Sequence, residues 1–226
     1  FMKSERAEGE AVREVVRRLA MSRPDVAFTL AGEERAHVTW PAALPGEAGR
    51  QEAGRIARLG DILGGDFRAN AVAVAAGREG LRVEGFAALP TYTRANSLGQ
   101  YLFVNGRPVR DKLMIGALHA AYADYLPRGR QPAVALFLSI EPREVDVNVH
   151  PAKTEVRFRD AGLVRSVIHG ALRDALLREG SRAASTGGDA TVAAFRPASM
   201  PRGGWDWRRS PAAGVRQPAA PALRSG

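Results

Sequence analysis

Apolar side chains recur at helical spacing at Val12, Val15, Val16 and Leu19, which predicts a first helix with one buried stripe, capped by Ser4 and ended before Pro24. Residues 25–31 and 36–40 read as two short strands joined through Gly32, Glu33 and Glu34. After a link rich in Pro and Gly, residues 52–63 place Ile56, Leu59 and Leu63 on one helical face and stop at Gly64-Gly65. The period then changes to two: Val72 and Val74 alternate in one strand, Leu81 and Val83 in the next, with a turn at 77–80. Strands at 101–104 and 107–109 flank Asn105-Gly106, a dipeptide suited to a tight hairpin because both residues tolerate positive φ.

Asp111 follows as the expected cap of a helix carrying Ile115, Leu118, Tyr122 and Tyr125 inward, an arrangement that draws Arg107, Arg110 and Lys112 together. A strand over 133–140 precedes Val145, Val147 and Val149 in strict alternation, and Val156 and Phe158 form another strand beyond the loop His150-Pro151-Ala152-Lys153. Asp160 caps a last helix with a wide stripe of Leu163, Val164, Val167, Ile168, Ala171 and Leu172. From residue 181 on, Ala, Ser, Gly, Pro and Arg dominate, with too few large apolar side chains to offset the entropy of ordering. The expectation is one domain over 1–180 and a disordered linker over 181–226, in which Trp205 and Trp207 are either an exposed pair or a docking spot.

Charge changes the picture less than the total suggests. Of the net +9, the seven arginines after residue 180, set against Asp189 and Asp206, account for five, so the folded part carries only +4. A nucleic-acid role must therefore rest on particular side chains. Cysteine is absent, which removes disulfides, thiol nucleophiles and cysteine-based zinc sites and points to an intracellular protein. The longest apolar stretch, around 132–140, is far shorter than the roughly 20 residues that span a bilayer. Phe1 at the start, with no signal-peptide pattern after it, is what a piece of a longer protein would show.

Two motifs carry the chemistry. The first is Val104-Asn105-Gly106-Arg107 with Arg110-Asp111; the second runs from Asp146-Val147-Asn148-Val149 through His150-Pro151-Ala152-Lys153 to Thr154-Glu155-Val156-Arg157-Phe158. In this order they resemble the paired signature of the MutL family of DNA mismatch-repair proteins, and Phe1 to Glu5 resembles the segment joining that family's ATP-binding domain to the next. The likeness covers about residues 1–178. It implies an α+β transducer domain of the GHKL class: a ribosomal-protein-like two-layer sandwich, its mixed sheet having helices mainly on one face.

By that resemblance Lys153 contacts the γ-phosphate of ATP held mostly, with Mg2+, by a neighbouring domain, while Asn148, His150 and Pro151 support the loop. An ammonium on a long stem suits such a task, since it is a mobile charge that loses its partner when the phosphate leaves. Lys112 matches a basic position associated with DNA, and Arg110, Arg107 and Lys3 are its neighbours in charge; such groups neutralise phosphates without reading sequence. The chain alone is expected to hold no cofactor and no catalytic residue, because the ATPase motifs and the endonuclease motif of the family are missing from it. The whole protein is expected to be a cytoplasmic, nucleoid-associated ATPase that meets a second protomer, a mismatch-recognition protein and a downstream nuclease or helicase. The four histidines, His37, His119, His150 and His169, share no ligand spacing, so no metal site is expected. A stand-alone nucleic-acid-binding module and a gyrase-type transducer are the competing readings.

Overall fold

The computed structural model describes residues 5–32, 35–43, 48–149 and 154–185. Helix α1 (Glu5–Ser22) leads into a hairpin of β1 (Phe28–Gly32) and β2 (Arg35–Trp40). Then come α2 (Ala48–Leu63) and the short α3 (Gly65–Asn70), a helical turn the period along the sequence does not announce. The hairpin of β3 (Ala71–Arg78) and β4 (Leu81–Ala88) turns through Glu79 and Gly80, both at positive φ. Two-residue β5 (Thr93–Arg94) precedes β6 (Gln100–Val104) and β7 (Arg107–Val109), whose hairpin turn holds Asn105 and Gly106 at φ 48° and 77°, as the dipeptide requires.

Helix α4 (Lys112–Tyr122) carries the chain across the sheet by way of β8 (Gln131–Pro132), which pairs with β5, to β9 (Val134–Ser139). That connection skips over β6, so β9 lies parallel to β6 while every other pair in the sheet is antiparallel. The resulting five-stranded mixed sheet has the order β3-β4-β9-β6-β7. A two-residue ladder of β10 (Val145–Asp146) and β11 (Arg157–Phe158) follows, and α5 (Ala161–Ser185) closes the chain. Asp160 caps α5 as expected, its Oδ1 accepting from the Leu163 amide at 2.8 Å. The helix runs to Ser185, so it enters the segment assigned to the linker. Residues 186–226, Trp205 and Trp207 among them, lie outside the described residues.

Strand alternation sorts the core into two layers. Leu102, Val104, Val134, Leu136 and Leu138 face α4 and α5, meeting Leu118, Tyr122, Val164, Ile168 and Leu172. The intervening residues Tyr101, Phe103, Ala133 and Ala135 face the other way, where Met21, Leu59 and Phe67 from the first three helices cover them. The α+β class and mixed sheet are therefore as expected, with α4 and α5 forming the main helical layer, and the second face is not bare. Phe103 and Phe137 are register partners on the parallel pair and stack on that face at 4.7 Å and 8°. Gly85 in β4 permits the close approach of β9: a Cβ there would sit 2.1 Å from the Ala135 carbonyl oxygen.

Two expectations fail. The α1 stripe is not buried: Val12, Val15 and Leu19 are exposed, because α1 meets the fold through Ala20, Met21 and the Arg18 guanidinium lying 5.5 Å from the Tyr101 ring centroid. Likewise the alternating valines do not form one strand. β10 stops at Asp146, and Val147 and Val149 are each 38% exposed, since the Asp146 carboxylate accepts from the Asn148 amide at 2.8 Å and turns the chain.

Among the described residues Arg58 has no acid partner at hydrogen-bond distance, yet it is 3% exposed. Its guanidinium donates to the carbonyls of Ala20 at 2.8 Å, Val26 at 2.9 Å and Pro41 at 2.6 Å, with longer contacts to Pro24 and Trp40. The end of α1, the start of β1 and the exit of β2 are thereby tied to α2. Burial draws the Arg58 pKa below its ordinary value, but carbonyl dipoles replace the lost water.

Candidate functional site

The two motifs distant in sequence are neighbours in space. Asn105 clasps the end of β9 with both ends of its amide, Nδ2 donating to the Ile140 carbonyl at 2.9 Å and Oδ1 accepting from the Ile140 amide at 3.0 Å. Just past the hairpin, the Arg110 amide donates to the Thr154 carbonyl at 2.7 Å. The ladder of β10 and β11 closes the base of the connection between them, with Val145 opposite Phe158 and Asp146 opposite Arg157. The Arg159 amide reinforces it by donating to the Glu144 carbonyl at 2.9 Å. The Thr154 flank of the 150–153 loop is thus fastened to the β7–α4 junction. His150, Pro151 and Lys153, like Lys3 and Ser4, lie outside the described residues.

At the junction itself Asp111 is 7% exposed and spends its Oδ1 on the Met114 amide at 3.0 Å, the cap its position predicts. Lys112, 91% exposed at the side chain, sits 3.9 Å from Glu155, a loose surface pairing that leaves the ammonium open to other anions. Arg110 is exposed beside it. Arg107 lies opposite Val104 on the α4/α5 face, half-buried, and its Nη1 is enclosed without a hydrogen-bond partner among the described residues. Asn148 is exposed, and the bond that shapes its turn uses its backbone amide.

Beside Lys112 and Arg110 opens a groove of about 640 Å³ that the motifs did not reveal. Its apolar lining comes from Leu102, Val109 and Ile115, and its polar wall from Gln100, His119 and Gln131. Gln100 is 7% exposed and directs Nε2 at His119 Nε2 and at Gln131 Oε1, both at 3.2 Å. Part of this is legible in the sequence, because Lys112, Ile115 and His119 are spaced to share one helical face. Gln100 and Gln131 join them only through the tertiary arrangement of β6 and β8. Among the described residues no group of three metal-ligating side chains occurs, and no helix is long and apolar enough to cross a membrane.

The architecture is that of an α+β domain resembling a solved structure titled "Crystal Structure of N terminal domain of a DNA repair protein", with a TM-score of 0.60 at 18% identity over 79% of this chain and 56% of that one. Residues 59–177, more than half of the chain, match the family described as "DNA mismatch repair protein, C-terminal domain". The chain is 68% identical over 93% of its length to the DNA mismatch repair protein MutL of Rhodopseudomonas palustris (strain BisB5), covering 34% of that relative. With the MutL protein of Bradyrhizobium sp. (strain BTAi1 / ATCC BAA-1182) it shares 64% identity over 99% of its length, covering 36%. The chain belongs to the MutL family of DNA mismatch-repair proteins. It spans about a third of the length of these curated relatives.

Proposed function

We propose that this chain is the transducer portion of a GHKL-type mismatch-repair ATPase, coupling nucleotide bound in a neighbouring domain to sequence-independent contact with DNA. The observation that carries the reading is the Arg110–Thr154 backbone bond, which fastens one flank of the loop bearing Lys153 to the junction bearing Arg110 and Lys112. Displacement of the loop toward a phosphate pulls on the DNA-facing junction through that link. Lys112 and Arg110 supply exposed cations with no geometry for reading bases, which suits a protein that acts wherever an error lies.

Toward ATP the chain's own share is one cation, Lys153; binding of the nucleotide and its Mg2+ falls mostly to the neighbouring domain. Because Lys153 gains a partner only when the terminal phosphate is present, nucleotide state biases domain orientation. In the whole protein this favours closure of a dimer around DNA, poised for a mismatch-recognition protein and a downstream nuclease or helicase. Two changes in the full-length protein test the reading. Lys153→Ala is expected to lower ATP turnover, and charge reversal at Lys112 and Arg110 to weaken DNA binding and flatten its salt dependence. Unchanged turnover refutes the first half, and unchanged salt dependence the second.

A further inference from the structure

We propose that the groove beside Lys112 takes one unstacked nucleotide of a DNA strand, the base lying inward and its phosphate resting on Lys112 and Arg110. The inference rests on the phosphate-contact reading of those two residues and adds to it a seat for the base. Size permits it, since about 640 Å³ lies within the roughly 300–1,000 Å³ typical of ligand clefts. Chemistry favours it too. Ile115 offers an aliphatic side to a ring face above a floor of the nearly buried Leu102 and Val109, and apolar side chains flank extruded bases elsewhere.

The polar wall is arranged to read an edge. Gln100 Nε2 donates to Gln131 Oε1 and lies at hydrogen-bond distance from His119 Nε2, so the three side chains form one wall. Left without a partner among the described residues are the Gln100 side-chain oxygen Oε1, the Gln131 side-chain nitrogen Nε2 and the His119 Nδ1 atom. Donors and an acceptor beside an apolar lining, with cations at the rim, match the three parts of a nucleotide: edge, face and phosphate. A simple phosphate-binding surface needs only the cations.

The test compares the 226-residue chain with His119→Ala, Gln131→Ala and Lys112→Glu variants, by fluorescence anisotropy on a labelled oligothymidylate and on a fully paired duplex at one salt concentration. His119 is exposed, so its removal leaves the core intact even if Gln131→Ala unfolds the β5–β8 pairing. The expected result is a loss of about fivefold or more on the single strand for each groove variant, as the removal of one or two hydrogen bonds implies, with the duplex changed less than twofold. Lys112→Glu is expected to weaken both ligands. If it does so while neither groove variant affects the single strand, the base seat is refuted and the phosphate reading stands. If Lys112→Glu affects neither ligand, the phosphate reading itself fails. Thymidine monophosphate competing as strongly as the oligomer, base for base, overturns the assignment to a strand.

Discussion

Replacing Arg58 isolates the most concentrated interaction in the fold. In Arg58→Met the stem keeps its approximate volume while three short charge-assisted bonds, to Ala20, Val26 and Pro41, disappear with the longer ones to Pro24 and Trp40. Each such bond contributes about 1.5–3 kcal/mol when the donor is charged, but one guanidinium makes them all and their loss is not additive. Removing the guanidinium leaves these carbonyls short of a donor, and the loss is expected at about 3–5 kcal/mol, roughly two such bonds. Against a total stability of about 5–15 kcal/mol, that is a large share. At roughly 2–4 °C per kcal/mol for a domain of this size, the melting temperature is expected to fall by about 6–20 °C. Urea titration followed by circular dichroism measures the free-energy loss and thermal unfolding the shift, with Arg78→Ala as the control, since Arg78 pairs with Glu79 wholly at the surface. A loss below about 1 kcal/mol refutes the idea that these carbonyls hold the cation in place.

Gly85→Ala is expected to cost on the order of 3 kcal/mol or more, because its Cβ would meet the Ala135 carbonyl oxygen at 2.1 Å and its φ of 146° disfavours any side chain; normal thermal unfolding of the variant contradicts this. Asp111→Ala removes the cap on Met114 and is expected to lose about 1 kcal/mol in denaturant titration, whereas an unchanged midpoint shows that the cap is idle. Stability should also fall in strong alkali. Burial pushes the phenols of Tyr122 and Tyr101 above their ordinary range, so the unfolded chain ionises first, and the stabilisation present below about pH 10 is lost progressively above it. Tyr122→Phe is expected to make that decline shallower between pH 9 and pH 11; an equal slope assigns the alkaline loss elsewhere.

Local physics announced more of this fold than of its site. The Asn105-Gly106 hairpin, the Asp111 and Asp160 caps and the stripe of α5 are governed by nearest-neighbour chemistry, and each stands where its residues place it. Periodicity alone did not say which neighbour a stripe meets, hence the exposed Val12, Val15 and Leu19. Nor could alternation foresee that Asp146 would turn the chain at Asn148. At the site, the motifs located the junction of Arg110 and Lys112, but the groove needs Gln100 and Gln131 from two separate strands and was hidden until the chain folded. Arg58 was hidden for the same reason: its five acceptors come from residues 20, 24, 26, 40 and 41.

Nucleotide and DNA are coupled in this account through one loop and the junction to which it is tied. The direct measurement is the ratio of DNA affinities of the full-length protein with and without a non-hydrolysable ATP analogue, taken for the natural sequence and for Lys153→Ala. The expected result is a ratio clearly different from one in the natural protein and close to one in the variant, with DNA affinity in the absence of nucleotide unchanged. A Lys153→Ala protein that still responds to nucleotide by the full natural ratio contradicts the coupling.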